Sequence, residues 1–138
     1  MTTRASAAGR RWYLDENLEA VAKAMEAVGL NVVWPGHPAC PDITKGAPDE
    51  HWIPIVASAA WPILTQDETI LRNLDQKRLL QEHKATSFFL TGGHWASWDN
   101  LRLIARHWDR IEHAANAAEK GAPRLHKITS SGVKPIRG

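Results

Sequence analysis

Cysteine is almost absent: the 138 residues include one, Cys40. A lone thiol cannot close an internal disulfide, and a zinc site built on two or more thiolates is excluded within one chain. It fits a reducing compartment and a cytoplasmic location. Long apolar runs are also missing. None approaches the roughly 20 residues of a membrane span, so no membrane role is expected. The opening MTTRASAAGRRW carries charge without an apolar segment and does not read as a secretory signal. Tyrosine and phenylalanine are scarce, at one and two residues, whereas tryptophan occurs seven times. With 43% hydrophobic and 23% charged residues, the chain has the composition of a soluble globular protein and the length of one domain.

Acidic residues are missing from both ends. Residues 1–14 carry Arg4, Arg10 and Arg11 and no acid, and residues 120–138 carry Lys120, Arg124, Lys127, Lys134 and Arg137 and no acid. All 15 acids lie between, against nine bases, so a chain of net charge +2 has a central body near −6. An acidic body with basic ends suits cations at the centre and polyanions at the edges. Ordinary solvated tails account for the ends equally well.

No internal repeat is present. Residues 1–10 read as a flexible lead-in, 11–119 as the domain, and 120–138 as a basic C-terminal segment with a last strand within 125–133. Short strands are expected at 11–14, 31–34, 61–65 and 87–90. Helices are expected at 18–28, 49–60 and 68–83, with one long helix from Ser97 to about Glu119. Its proposed apolar face carries Trp98, Leu101, Ile104, Ala105, Trp108 and Ile111. Gly29 is the expected stop of the first helix. The segment PGHPACPDITKGAP at 35–48 holds four prolines and two glycines and predicts a long loop. Strands alternating with helices predict an α/β fold with a largely parallel sheet of four or five strands. Ligands of such sheets bind at the carboxyl ends of the strands.

Acids fall where that rule points. Asp15, with Glu16 and Asn17 beside it, closes the first strand. Asp49 opens the second helix as an expected N-cap, and Asp67 follows the third strand in Thr65-Gln66-Asp67. Each alone fits a cap or turn residue. Converged, three carboxylates repel one another unless a cation lies between them. Oxygen ligands suit Mg²⁺ or Mn²⁺.

At these residues the chain resembles the PIN domain superfamily, in particular its compact PIN-like branch related to VapC-type toxins. The resemblance is carried by Tyr13-Leu14-Asp15-Glu16-Asn17-Leu18, by Pro48-Asp49-Glu50-His51-Trp52-Ile53-Pro54-Ile55-Val56, and by Ile63-Leu64-Thr65-Gln66-Asp67-Glu68-Thr69-Ile70. The helix from Trp98 to Asp109 also resembles that branch. The resemblance implies a three-layer α/β/α fold and a metal-dependent endoribonuclease that hydrolyses RNA phosphodiesters with Mg²⁺ or Mn²⁺. It makes Asp15, Asp49 and Asp67 the metal ligands, with Thr65 orienting a carboxylate or a water. It also implies an antitoxin protein as partner and a homodimer. The further acid that larger PIN domains carry has no visible match, and Glu16, Glu50 and Asp42 are its candidate substitutes. That gap leaves a second function open: a catalytically weak or inactive module that binds RNA or a protein.

Other residues carry weaker signals. His51 neighbours the proposed site and suits proton transfer or phosphate contact. Lys45, Arg72, Lys77 and Arg78 are candidates to steer a phosphate backbone toward the acids. Trp12, Trp61, Trp98 and Trp108 are expected in the core. Trp52 and Trp95 are the candidates for a substrate wall. Cys40 sits among prolines with no evident base. A phosphotransfer receiver domain would also place acids at strand ends, but it leaves Asp49 without a role.

Overall fold

In the computed structural model the described residues are 10–66, 74–91 and 96–136. The chain opens with β1 (Trp12–Leu14), a single 3-10 turn (Glu16–Leu18) and α1 (Glu19–Ala27). β2 (Val32–Val33), α2 (Asp49–Ser58), β3 (Ile63–Thr65), α3 (Leu74–Glu82) and β4 (Ser87–Leu90) follow. Two consecutive helices, α4 (Ser97–Arg106) and α5 (Trp108–Glu119), lead to β5 (Leu125–Thr129) and β6 (Gly132–Pro135). The sheet order is β2-β1-β3-β4-β5-β6. The first five strands are parallel and β6 is antiparallel to β5.

The largely parallel α/β fold is as expected, but among the described residues the sheet has six strands rather than four or five. The reason lies in the tail. Residues expected to hold one strand form a hairpin instead, with Ser130 and Ser131 at the turn and Thr129 paired to Gly132. Gly132 takes a φ of +144°, open to glycine and unfavourable for other residues.

Alternation along β1 sends Trp12 and Leu14 to one face of the sheet and Tyr13 to the other. On the first face they pack with Val21 and Met25 of α1, Ile104 of α4 and Ile111 of α5. Phe88 lies at the centre, with Trp12 at 5.5 Å and His126 stacked on it at 4.8 Å. On the second face Tyr13, Ile63 and Phe89 pack with Trp52, Ile53 and Val56 of α2 and Leu80 of α3. The loop at 35–48 is ordered onto this face. Cys40 and Ile43 are buried in it, and the Gly36 N–H donates to the Ile43 carbonyl at 2.9 Å. The result is three layers, with α1 against α4 on one side and α2 against α3 on the other.

The long helix expected from Ser97 to Glu119 is broken at His107, whose backbone leaves helical values at φ −109° and ψ 15°. Its Nε2 faces the Ser130 carbonyl at 3.3 Å, so the break coincides with a tie to the hairpin. The inward face of α4 is Asn100, Leu103 and Ile104. Trp98 lies about 160° away from Asn100 around the helix and is 64% exposed, not in the core as expected. Trp12 is buried and Trp108 packs on it at 5.1 Å. Trp61 is half-buried and precedes β3, with the Arg11 guanidinium 5.5 Å above its ring. Gly29, at φ +98°, ends α1 as anticipated. Among the described residues no helix is long and apolar enough to cross a membrane.

Candidate metal centre

Strand β1 lies between β2 and β3, so the chain reverses its direction across the sheet at β1. The carboxyl ends of β1 and β3 therefore flank the crevice where ligands of open α/β sheets bind. Asp15 stands at that point. Its N–H continues the ladder to the Leu64 carbonyl at 3.1 Å. Its Oδ1 accepts from the Glu16 N–H at 2.8 Å, capping the 3-10 turn. Its Oδ2 accepts from the buried Thr65 hydroxyl at 3.2 Å. The cap role expected of this residue is met by Oδ1, and Oδ2 is turned toward Thr65 of β3.

Burial pushes the Asp15 carboxyl above the ordinary carboxylate range. The hydrogen bonds from Glu16 and Thr65 oppose that shift, and the negative charges of Glu16 and Asp49 add to it. This half-buried carboxylate accepts from a neutral N–H and a neutral hydroxyl, with like charge beside it. That is the electrostatic setting that favours a cation.

Asp49 is brought to the same place by α2. Pro48 takes the cap position, and Asp49 is the first helical residue rather than the N-cap. Its Oδ1 accepts from Trp52 Nε1 at 2.9 Å, one helical turn on, and its Oδ2 accepts from Gln76 Nε2 of α3. Trp52 is buried and stacks on Tyr13 at 4.9 Å. It is thus a support beneath the carboxylates and not the exposed substrate wall expected of it. Tyr13, two residues before Asp15 and on the same side of the sheet, forms the floor. Burial first, then the charges of Asp15, Glu16 and Asp49, hold its hydroxyl protonated well above the ordinary phenol range.

The neighbouring residues brace the loop. Glu16 accepts from the Gly46 N–H at 3.2 Å. His51 Nε2 donates to the Asp42 carbonyl at 2.9 Å. Lys45 pairs with Glu19 of α1 at 3.2 Å. Asn17 and Glu50 are exposed, as is Arg78 of α3, while Lys77 is half-buried. Asp67, Arg72 and Trp95 lie outside the described residues. Among the described residues no three His, Cys, Asp or Glu side chains form a group able to hold a metal ion. Cys40 is buried, its thiol donates to the Trp34 carbonyl at 3.1 Å, and burial raises its pKa. Such a thiol is a packing residue.

Sequence reasoning missed the roles of three contributors: Gln76 and Asn100 were not expected at the site, and Trp52 was expected as a substrate wall rather than a support. Gln76 reaches Asp49 from a separate helix with no local sequence signal. Trp52 did carry one, since it lies three residues after Asp49 and so on the same side of the helix. Asn100 of α4 is buried and donates through Nδ2 to Gln66 Oε1 at 3.3 Å. This contact ties the start of α4 to the residue after Thr65.

The family model described as a PIN like domain matches residues 11–92. This chain belongs to the PIN-like domain family. The matched span contains β1 with Asp15, α2 with Asp49 and β3 with Thr65, so the acids of this PIN-like domain sit on its shared part. Helices α4 and α5 and the β5–β6 hairpin lie beyond it. No curated protein and no solved structure matches the chain.

Proposed function

We propose that this PIN-like domain is a metal-dependent endoribonuclease. Asp15, Asp49 and Asp67 would hold Mg²⁺ or Mn²⁺. The observation that carries the reading is the convergence of Asp15 and Asp49 at the switch point, where both carboxylates accept from neutral donors: Glu16 N–H and Thr65 on one, Trp52 and Gln76 on the other. A divalent cation bound there would neutralise charge on a phosphodiester and acidify a water. The chain's own residues supply the rest. Thr65 fixes the rotation of the Asp15 carboxylate, and Trp52 with Gln76 fixes that of Asp49. Tyr13 and Trp52 close the floor beneath them to water. Relation to VapC-type toxins, an antitoxin segment over the acidic groove, a homodimer and a cytoplasmic location extend the same reading.

One observation favours a second reading, a module that binds RNA or protein without cleaving. Both Asp49 oxygens already have protein donors. Calorimetric titration with Mn²⁺, wild type beside Asp15→Asn and Asp67→Asn, separates the two. Binding in the wild type that is lost in both variants, together with metal-dependent RNA cleavage, supports the nuclease. A wild type that neither binds Mn²⁺ nor cuts RNA overturns it in favour of the binding module.

A further inference from the structure

The carboxyl end of the sheet carries a second feature beside the acids. Because β1, β3, β4 and β5 are parallel, the Ser130–Ser131 turn after β5 lies at the same edge as Asp15 and Thr65. Helix α4 connects the two places. Asn100, near its start, bonds Gln66 beside the acids, and His107, just past its end, faces Ser130 beside the hairpin. The outer face of α4 therefore leads from the acids to the hairpin.

That face is built of an aromatic ring followed by arginines four residues apart: Trp98, Arg102, Arg106 and then Arg110 of α5. Trp98 is 64% exposed and the three arginines are exposed. Two adjoining clefts run along them. One of about 760 Å³ is lined by Arg102, Arg106 and Ser130, and one of about 410 Å³ by Arg106, Arg110, Ser130 and Ser131. Arg110 reaches the hairpin itself, since a Cβ on Gly132 would stand 3.2 Å from its Nη1. Asp99 lines the first cleft and Asp109 the second. Even so, among the described residues none of the three arginines has an ion-pair or hydrogen-bond partner. Arg10, by contrast, is held by two glutamates. Guanidinium groups presented as free forks beside hydroxyls match phosphate oxygens. An exposed tryptophan in line with them offers a face on which an unpaired base stacks, which a duplex does not present.

We infer that the Trp98–Arg102–Arg106–Arg110 face and the Ser130–Ser131 hairpin form the track for single-stranded RNA leading to the acidic site. The inference rests on the nuclease reading for the identity of its ligand. Trp98 to Arg106 spans about 12 Å at the helical rise, enough for roughly three to four stacked nucleotides at ~3.4 Å each. Trp98, at the end nearer the acids, stacks a base, and the arginines take the phosphates behind it. The track differs from the one expected from sequence, which placed Lys45, Arg72, Lys77 and Arg78 on the strand.

The test measures binding of a short fluorescein-labelled single-stranded RNA of mixed sequence, in chelator, across a salt series. The full chain with Asp15→Asn is the parent, so that the RNA stays intact. Replacing all three arginines by glutamine is expected to flatten the slope of log K against log salt by about 2, at ~0.7 per phosphate contact. Trp98→Ala is expected to weaken binding roughly tenfold with the slope unchanged. Ser130→Asp, which puts a carboxylate into both clefts without touching the arginines, is expected to weaken binding as well. An unchanged slope in the triple variant overturns the track. So does an absence of RNA binding in the parent, or a slope lost instead in Lys77→Ala/Arg78→Ala. These readouts are independent of cleavage. If the slope falls as stated but the wild type with Mn²⁺ cuts nothing, the track stands and the nuclease reading fails.

Discussion

The two ends of β1 handle charge in opposite ways. At the amino end, Arg10 is pinned by Glu112 at 3.1 Å and Glu119 at 2.9 Å, with Asn116 at 3.1 Å, and Trp12 Nε1 shares the same Glu112 oxygen at 3.2 Å. Arg11 bonds Asn31 at 3.0 Å and lies over Trp61. Cations and anions are matched there, and the cluster fastens the chain entry to α5. At the carboxyl end, three to five residues on, half-buried Asp15 lies beside Asp49 and Glu16 and accepts from the neutral Glu16 N–H and Thr65 hydroxyl. The first arrangement is complete in itself. The second carries an electrostatic cost that folding alone does not relieve. A fold retains such a cost most readily where a ligand offsets it. Of the basic ends read from the sequence, Arg10 and Arg11 serve the fold, whereas Arg102, Arg106 and Arg110 belong to the central body, on α4 and α5.

The contrast can be broken from the carboxyl end first. Asp15→Asn should lower metal-dependent RNA cleavage by more than about a hundredfold, because it removes a proposed ligand and not merely a support. Single-turnover assays on matched folded protein check this. Thr65→Val keeps the volume and removes the hydroxyl that orients Asp15. It should lower the same rate or the Mn²⁺ affinity by roughly 10–100-fold. At the amino end, Arg10→Ala should cost about 1–2 kcal/mol of stability in urea unfolding, discounted because Glu119 is exposed. It should leave the rate per folded molecule unchanged.

The smallest effect sharpens the comparison through pH. A carboxyl raised by burial costs the fold nothing while it is protonated in both states. The penalty grows as pH rises from the unfolded value of about 3.9 through the higher folded one. Metal-free Asp15→Asn should therefore melt above the wild type at pH 7, and the gap should close as pH falls below the carboxylate range. Saturating Mn²⁺ should narrow the gap at pH 7 by stabilising the wild type alone. A wild type that melts above the variant at pH 7 without metal would mean that the Asp15 charge is already compensated.

Much of this architecture was readable along the chain, because the signals are local. Strand and helix alternation, Gly29 as a stop, and acids one residue past a strand depend on neighbours a few positions apart. Those signals located β1 to β4, α1 and α2, and placed Asp15 and Asp49 at one edge of the sheet. Boundaries were less accessible. His107 looks helical by spacing, and it leaves the helix where it meets Ser130, which is 23 positions away. The hairpin read as a single strand although Ser130-Ser131-Gly132 carries a turn signal, since the pairing of Gly132 with Thr129 is visible only in the folded sheet.

Burial was the least legible property. Trp52 and Trp98 both sit near the start of a helix, yet one lies under the acids and the other in solvent. Which face of a short helix turns inward is settled by what the sheet and neighbouring helices present to it, and a single turn of sequence does not encode that choice. The same holds for the charges. The sequence by itself determined how many arginines there are and on which elements they sit. Only the tertiary structure decided that Arg10 meets Glu112 and Glu119, more than 100 positions away, while Arg102, Arg106 and Arg110 meet no acid among the described residues. Electrostatic pairing depends on distance in space, and the fold sets that distance.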